Sequence, residues 1–457
     1  MPAFDLTAAE WVEIVTEGGS NPQMIVVSMG EAMASINAPT ATSRTIRLGA
    51  GSGVGISDGR ILTVPAGNSV WIRPVGPRVL GYVGRESMPI PSIFNLKPSN
   101  TARARAGMAA AANGERNCLV GVFGPSTTAG QSTGGGLTQA VNAWPMQLAD
   151  QLQSSGINAG ANNIFSDKGS WGQAQTIANF LTGDGRVSAT GAMGLGGTKA
   201  FGGNAFSVTA AGSLLFTPQK PVTKFEIVWR DNAAGRSFNV AIDGGATTLI
   251  ATGGVAAIRR TVVAATALDI HTIVASWVAA GVTIIGVHAY DDTNGRKEIS
   301  ILNGGISGAQ SLRFNDDTDI AAGFTATLAA FPFDFAIYDD APINDWRNGV
   351  AVATSKANAL AWVQKVKDAA IDPILTTPLW DNGTGSLSAQ QDSYAAMLFE
   401  VATEKDVPLI DIRAAWGSYV SANARGWYSD SVHPTSAGYA AKAAMMRSAL
   451  AQIKAVG

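Results

Sequence analysis

A serine at the end of an apolar run is the first residue of this sequence that could do chemistry. The run is CLVGVF, residues 118–123; it stops at Gly124-Pro125, and Ser126 follows. The pattern predicts a buried strand that ends just before Ser126. Ligands of open α/β sheets bind outside the carboxyl ends of the strands, so a hydroxyl at this place is a candidate nucleophile. By itself, the position is more typical of a turn or helix-cap serine.

A serine nucleophile needs a base, and the sequence offers one near its C-terminus. Of the three histidines, His271 and His288 lie in apolar, strand-like segments, where a structural role is expected. His433 instead lies in the polar segment DSVHPT, just before the last predicted helix. Asp430, three positions earlier, can turn its carboxylate back toward the imidazole, fix the tautomer and stabilise the imidazolium. Ser126, His433 and Asp430 are therefore the candidate nucleophile, base and orienting acid.

These two segments resemble motifs of the SGNH (GDSL-like) hydrolase family, and two further motifs lie between them in the family's order. The family's glycine block is matched by NGGISG at residues 303–308, and its asparagine block by INDW at residues 343–346. The resemblance implies a serine-ester hydrolase that uses neither a metal nor an organic cofactor. It also implies an oxyanion hole made of the backbone N–H groups of Ser126 and Gly308 and the side-chain amide of Asn344.

The sequence departs from the family pattern at two places. Pro125 stands where the family usually has an aspartate, and it supplies neither a carboxylate nor an N–H. Ala341-Pro342 precedes the asparagine block, where the family usually has a glycine. Whatever the missing aspartate positions must be positioned by other residues in this chain.

Ser132 is a rival nucleophile, because GQSTG at residues 130–134 matches the G-x-S-x-G elbow of α/β-hydrolases. An elbow serine lies at the strand-to-helix turn itself. Ser132 comes well after the end of the apolar run, and two more glycines follow the motif. We therefore expect Ser126, not Ser132, to be the nucleophile.

Composition excludes several classes of protein. The chain has 457 residues, of which 46% are hydrophobic and 14% charged, as in globular proteins of two or three domains. A net charge of −2, without runs of Lys and Arg, argues against a nucleic-acid partner and against a polybasic membrane anchor. The single cysteine, Cys118, excludes an intrachain disulfide and is expected to be a buried thiol. No basic residue precedes Arg44, so no secretory signal is visible.

The predicted fold is a three-layer α/β hydrolase with a flavodoxin-like parallel sheet, a β-rich N-terminal region and an inserted β-sandwich. From Glu298 onward, strand and helix patterns alternate, which is typical of a parallel sheet with helices on both faces. Far more residues separate Ser126 from Gly308 than the dozen or so that a crossover needs. The expected division is a β-rich region and connector at 1–115, hydrolase segments at 116–185 and 295–457, and the sandwich at 186–294. If the insert closes on its own core, the hydrolase should survive its removal.

The function expected from these observations is hydrolysis of short acyl esters, with O-acetyl groups on a carbohydrate as the favoured substrate. A general aryl or lipid esterase is the enzymatic alternative. Because Pro125 breaks the family pattern, a non-enzymatic surface or virion protein that retains the fold is the other alternative. The expected partner is thus a small ester or an acetylated carbohydrate, and the location is cytoplasmic, or extracellular for a mature or virion-associated chain. The sequence predicts no particular oligomeric state.

Overall fold

The computed structural model describes residues 90–131, 137–167, 176–231, 233–278, 281–383 and 385–456, together with eight strands between residues 3 and 84. Those eight strands form two antiparallel four-stranded sheets, in the orders β1-β8-β3-β6 and β2-β7-β4-β5. They are β1 (Ala3–Leu6), β2 (Val12–Ile14), β3 (Gln23–Met29), β4 (Ala32–Ile36), β5 (Ile46–Leu48), β6 (Ile61–Val64), β7 (Val70–Pro74) and β8 (Val79–Gly84).

From Ile299 onward, strands and helices alternate in the way that the sequence predicts. The strands after residue 90 are β9 (Ile93–Phe94), β10 (Cys118–Phe123), β11 (Ala159–Gly160), β12 (Val187–Gly197), β13 (Asn204–Phe216), β14 (Val222–Asp231), β15 (Ser237–Ile242), β16 (Thr248–Ala251), β17 (Ala257–Asp269), β18 (Ile273–Trp277), β19 (Thr283–Tyr290), β20 (Ile299–Asn303), β21 (Phe335–Tyr338), β22 (Asp372–Thr376) and β23 (Leu409–Ile410). The helices are α1 (Ala102–Ala112), α2 (Ser126–Ala129), α3 (Leu137–Asn142), α4 (Trp144–Ser154), α5 (Ile177–Gly183), α6 (Phe324–Ala330), α7 (Ile343–Arg347), α8 (Val352–Asp368), α9 (Gln391–Lys405), α10 (Ile412–Trp416), α11 (Tyr419–Ala424) and α12 (Ser436–Ala455).

A seven-stranded sheet in the order β11-β20-β10-β21-β22-β23-β9 forms the centre of the hydrolase region. Neighbouring strands are parallel except for β9, which pairs antiparallel with β23. The predicted parallel α/β sheet is therefore confirmed. Strand β23 ends at Ile410, because the Asp411 side chain accepts a hydrogen bond from the Ala414 amide and so begins α10.

Helices cover both faces of this sheet, and strand β10 shows why. Its residues alternate in direction: Val120 and Val122 pack into one buried cluster, and Leu119 and Phe123 pack into another. The first cluster includes side chains of α1, α4 and α12, and the second includes side chains of α8 and α9. All six residues of β10 are buried, as expected for a strand covered on both sides.

The eight strands β12–β19 form an antiparallel sheet between the two hydrolase segments. Hydrogen bonds join them into one continuous sheet, so the predicted sandwich of two separate sheets is not confirmed. The physical reason is the length of β13: its first half pairs with β19 at Phe206, and its second half pairs with β18 from Gly212 to Phe216. Sequence patterns showed short strands but not that a single long strand connects them.

The antiparallel sheet shares a hydrophobic core with the parallel sheet. Val228, Ile258 and Ile285, from strands β14, β17 and β19, belong to the same buried cluster as Phe123 and Leu302. The two sheets are thus bound to each other by apolar contacts, in addition to the core that the antiparallel sheet has of its own. In the part of the chain that the structure describes, no helix is both long and apolar enough to cross a membrane.

Glu298, just before β20, makes the stability of this region depend on pH. Its carboxylate is buried and accepts hydrogen bonds from the Ser300 hydroxyl (2.6 Å) and the Asp291 amide (3.1 Å). Burial raises the pKa of Glu298 to about 7 from 4.5. Because the folded state then binds the proton more tightly than the unfolded state, this contribution to stability is complete below pH 4.5 and lost as pH rises through 7.

We therefore expect Glu298 to reduce the free energy of unfolding by about 3 kcal/mol as the pH rises across this interval. Urea unfolding of the wild type and of Glu298→Gln at several pH values measures the effect. In a plot of the free energy of unfolding against pH, the variant should lack the downward slope that Glu298 causes. Glu404→Gln, at an exposed position of α9, is the control and should keep it. Equal slopes in the wild type and Glu298→Gln would contradict the assignment.

Candidate active site

The predicted nucleophile lies on a short helical turn at the carboxyl end of β10. This turn, α2, begins with Ser126, and the carbonyl of Pro125 accepts hydrogen bonds from the amides of Thr128 (3.0 Å) and Ala129 (3.1 Å). A proline is tolerated here because the amide of a residue that precedes a helix has no helical partner to lose. Gly130 ends the turn in the left-handed conformation with φ of 90°.

Ser126, His433 and Asp430 form a hydrogen-bonded series. The Ser126 Oγ lies 2.9 Å from His433 Nε2, and His433 Nδ1 lies 2.8 Å from Asp430 Oδ2. An ionised carboxylate can only accept, so Nδ1 carries the proton and Nε2 is left to accept the serine hydroxyl. The structure thus brings together the three residues that the sequence singled out.

The electrostatics of Asp430 suit it to hold the imidazole. Its partial burial alone would raise its pKa, but the His433 ring and the backbone amides of Val432 and His433 donate to the carboxylate. These hydrogen bonds keep the pKa of Asp430 well below its usual value. The acid is therefore ionised throughout the neutral range, and both its oxygens are used to fix the loop and the ring.

The loop that carries His433 is tied to the helix that follows it. The Ser429 amide donates to the His433 carbonyl (2.9 Å), and the Thr435 amide donates to the Trp427 carbonyl (2.9 Å). The Thr435 side chain then accepts from the Gly438 amide and caps α12. His433 is consequently held by a rigid 20-residue helix that begins three residues later.

The predicted oxyanion residues lie on segments that contact the nucleophile turn or each other. After β20, the Ile306 amide donates to the Gly124 carbonyl (2.9 Å), which places the loop that leads to Gly308 against the start of the turn. Asn344 lies on α7, and its amide donates to the Ala309 carbonyl (2.9 Å), next to Gly308. This bond uses one of the two amide hydrogens of Asn344 and leaves the other for a ligand.

Gly124 is a position where only glycine fits. A Cβ atom there would lie 2.0 Å from the Thr128 Oγ1 and 2.5 Å from the Asp339 carbonyl oxygen. The Thr128 hydroxyl is held by its hydrogen bond to Asp339, and the Asp339 oxygen belongs to the backbone directly after β21, so neither can move away cheaply. The glycine of the motif is thus explained by the close approach of the turn to β21.

We expect Gly124→Ala to displace the nucleophile turn, with a loss of stability of about 1–3 kcal/mol from overpacking. A displacement of about 1 Å should also lower kcat for ester hydrolysis by about a hundredfold. Thermal melts and steady-state kinetics measure the two effects. The control for a general glycine effect is Gly196→Ala, where a Cβ meets nothing within 4 Å and φ is not in the left-handed region. An unchanged kcat in Gly124→Ala would show that the turn does not need this contact.

The other two histidines and the cysteine lie outside this site. His271 makes hydrogen bonds to Asp243 (2.6 Å) and to the Ala267 carbonyl (2.9 Å), and His288 is buried in β19. Both therefore belong to the antiparallel sheet region. Cys118 is buried in β10, and burial raises the pKa of its thiol. Ser132 lies outside the described residues. Among the residues that are described, no group of three or more His, Cys, Asp or Glu side chains could hold a metal ion.

Sequence reasoning missed a buried charged group beneath the nucleophile turn. Asp339 and Asp340 follow β21 directly, and both contact Lys442 of α12. The only available signal was the pair of aspartates after an apolar strand, since polar residues at that edge of a parallel sheet lie close to the ligand site. Nothing in the sequence indicated that Lys442 is buried, because one lysine in a long helix is ordinarily exposed.

Part of the chain is similar to a known protein family, and its fold is similar to that of solved structures. The model of the GDSL-like lipase/acylhydrolase family matches residues 279–441, a segment that begins after Ser126 and includes Asp430 and His433. No curated protein sequence matches the chain. Among solved structures, a peptidoglycan O-acetylesterase is similar with a TM-score of 0.58 and 17% identity, over 79% of this chain and 99% of its own.

Two smaller esterases are similar over about a third of the chain. One is an acetyl xylan esterase with a TM-score of 0.29 and 18% identity, over 33% of this chain and 81% of its own. The other is an acetylxylan esterase from Geobacillus stearothermophilus with a TM-score of 0.27 and 22% identity, over 34% of this chain and 73% of its own. The family match confirms the resemblance seen in the sequence motifs: residues 279–441 match the model of the GDSL-like lipase/acylhydrolase family, and the likeness to the solved structure shows the fold.

Proposed function

We propose that the protein is a serine esterase that removes short acyl groups, in particular O-acetyl groups, from a carbohydrate. The observation that carries the proposal is the hydrogen-bonded series from Ser126 through His433 to Asp430, with spacings of 2.9 and 2.8 Å. A serine hydroxyl becomes a nucleophile when an adjacent base takes its proton, and the base must itself be oriented. All three roles are filled by residues that hydrogen-bond to one another.

In the proposed reaction, Ser126 Oγ attacks the acyl carbon while His433 Nε2 takes the hydroxyl proton. The imidazolium is stabilised by Asp430, which is already ionised, and returns the proton to the leaving alcohol oxygen. Water then enters, gives a proton to His433 Nε2 and attacks the acyl-enzyme carbon. The bond from this carbon to Ser126 Oγ breaks, the imidazolium returns the proton to Oγ, and the acid is released. Each step transfers one proton through the same nitrogen.

The negative charge that develops on the acyl oxygen needs fixed donors nearby. We assign this role to the backbone amides of Ser126 and Gly308 and to the second hydrogen of the Asn344 amide. The contact of the loop before Gly308 with the Gly124 carbonyl, and that of Asn344 with the Ala309 carbonyl, support this assignment. Removal of one such donor typically costs about 3 kcal/mol of transition-state stabilisation.

Two observations favour a small acyl group on a larger alcohol. The side chains around the reaction centre are recessed: Ser126 is 4% exposed and His433 is 8% exposed. A short acyl group reaches a recessed hydroxyl more readily than a long chain does. In addition, the peptidoglycan O-acetylesterase is similar over more of this chain than the two hydrolase segments alone contain, which motivates a carbohydrate as the alcohol.

The proposal is tested with p-nitrophenyl esters of two, four and eight acyl carbons and with acetylated oligosaccharides, by following nitrophenol and acetate release. We expect kcat/KM to be highest for the acetate ester and expect acetate release from the oligosaccharides. A fluorophosphonate probe should label the wild type at Ser126. Higher kcat/KM on the eight-carbon ester would instead favour a lipid esterase, and the absence of both labelling and turnover would favour a non-enzymatic protein.

A further inference from the structure

A group of three buried charges lies directly beneath the nucleophile turn. Lys442 of α12 is 0% exposed, and its Nζ donates to Asp339 (2.9 Å) and to Asp340 (2.6 Å), both of which are also 0% exposed. Burial alone would lower the pKa of Lys442, but the two carboxylates raise it above the usual value, so the ammonium stays charged. We call these three residues the Lys442 cluster.

The cluster is joined to the nucleophile turn by two hydroxyl groups. The Thr127 hydroxyl donates to Asp340 Oδ2 (2.7 Å), and the Thr128 hydroxyl donates to Asp339 Oδ2 (2.6 Å). These are the two residues that follow Ser126 in the chain. The carboxylates therefore hold the turn through the two residues next to Ser126.

The cluster is also joined to the base. Lys442 lies on α12, the helix that begins three residues after His433 and is capped by the His433 loop. One hydrogen-bonded path thus runs from the turn that carries Ser126, through the two carboxylates, to the helix that fixes His433. The two catalytic partners are 307 residues apart in the sequence, and this path connects the elements that carry them.

Further donors give the carboxylates additional hydrogen bonds, because one ammonium does not balance the charge of two carboxylates. They are the Trp144 indole (2.9 Å) and the Thr376 hydroxyl (3.0 Å) on Asp339, and the Leu379 amide (3.0 Å) on Asp340. Well-packed apolar residues often give at least as much stability as a buried ion group. Stability alone is therefore a weak reason for three buried charges at this place, and their position beneath Ser126 offers a stronger one.

We propose that Lys442, Asp339 and Asp340 are positioning residues that hold the Ser126 hydroxyl in line with His433 Nε2, in place of the aspartate that Pro125 replaces. The inference rests on the proposed esterase function for its kinetic consequences. The carboxylates come from the strand beside β10 instead of from the nucleophile turn itself, and the two threonines connect them to it. The departure from the family motif at Pro125 is thereby compensated.

The test removes the two connections and leaves the charges in place. Thr127→Val and Thr128→Val are nearly isosteric and delete only the hydroxyl groups, whereas Lys442→Met would leave two buried carboxylates without their cation and could fail to fold. We expect each valine variant to lower kcat on p-nitrophenyl acetate by about 10- to 100-fold with KM changed less than about twofold, because transition-state alignment is lost and not binding. Thr127→Ser, which retains the hydroxyl, should restore kcat to within about threefold of the wild type.

The matched control is Ser300→Ala. It also deletes a buried hydroxyl that donates to a carboxylate, at 2.6 Å, but at the other end of the sheet beside Glu298. Its kcat should equal that of the wild type even if its melting temperature falls. A loss of kcat in Ser300→Ala as large as in the valine variants would show that the effect is merely structural and would overturn the inference.

Crystal structures of the wild type and of Thr127→Val give a second readout that does not depend on activity. The Ser126 Oγ to His433 Nε2 distance should lengthen from 2.9 Å to beyond hydrogen-bonding range in the variant. An unchanged distance with an unchanged kcat would overturn the inference. If the wild type lacks esterase activity, the proposed function fails, and the distance alone then decides whether the cluster positions the serine.

Discussion

Ser126→Ala and His433→Ala should each lower kcat for ester hydrolysis by about a thousandfold or more and leave the melting temperature close to that of the wild type. In the proposed reaction, the Ser126 Oγ bonds to the acyl carbon, and the His433 imidazole, at 2.9 Å, takes its proton. Residues that act as one catalytic unit are strongly non-additive. The double variant should therefore be about as slow as either single variant.

Ser132→Ala is the control for this prediction and should be nearly silent. Steady-state kinetics on p-nitrophenyl acetate, with circular dichroism to verify the fold, measures all four variants. If Ser132→Ala abolished activity while Ser126→Ala retained it, the nucleophile would be the elbow serine. The assignment of Ser126, Asp430 and His433 would then be wrong.

Replacement of residues 186–294 by a Gly/Ser linker should abolish the cooperative melt of the hydrolase region. The sequence alone allowed the opposite expectation, in which the insert closes on its own core. In the structure, Val228, Ile258 and Ile285 of the insert belong to the core that contains Phe123 and Leu302. Burial of each aliphatic side chain of this size contributes about 1.5–3 kcal/mol, so the loss of several is comparable with the whole stability of a domain.

Point variants separate this shared core from a general effect of deletion. Val228→Ala should destabilise the protein by about 2 kcal/mol through cavity formation, because Val228 is 0% exposed. Val262→Ala, on the neighbouring strand at a position that is 49% exposed, should change stability by less than about 0.5 kcal/mol. A deletion variant that still melts cooperatively would show that the parallel sheet does not need the insert.

The parallel sheet could be predicted from the sequence because its strands are apolar runs that alternate with amphipathic helices. Strand β10 and helix α12 carry signals of this kind, and both lie close to their predicted places. The antiparallel insert was predicted less completely. Strands β12 and β17 are rich in Gly, Ala and Thr, so their sequences lack a clean alternation of large apolar and polar residues. Long strands that pair with different partners along their length also leave no local pattern.

The candidate site, too, could be predicted from the sequence only in part. Ser126, His433 and Asp430 lie in short local motifs, and the sequence predicts them together with Gly308 and Asn344. The Lys442 cluster has no motif, because its members come from β21 and α12 and meet only in the folded chain. Pro125 shows in the sequence that other residues must replace the family's aspartate. Only the contacts in the folded chain point to Asp339, Asp340 and Lys442 as those residues.

Both strands that pair with β10, namely β20 and β21, come much later in the sequence, and this affects how the chain folds during synthesis. Asn117 and Glu298, which precede β10 and β20 and hydrogen-bond to each other, are 181 residues apart. At about 5–20 residues per second, the ribosome needs about 10–40 s to deliver β20 after β10 has emerged. For that interval, a strand whose six residues are all buried in the native state lacks both of its neighbours. The nascent chain therefore passes through a state in which this apolar strand is open to intermolecular pairing, and holdase chaperones that cover it should raise the yield of folded protein.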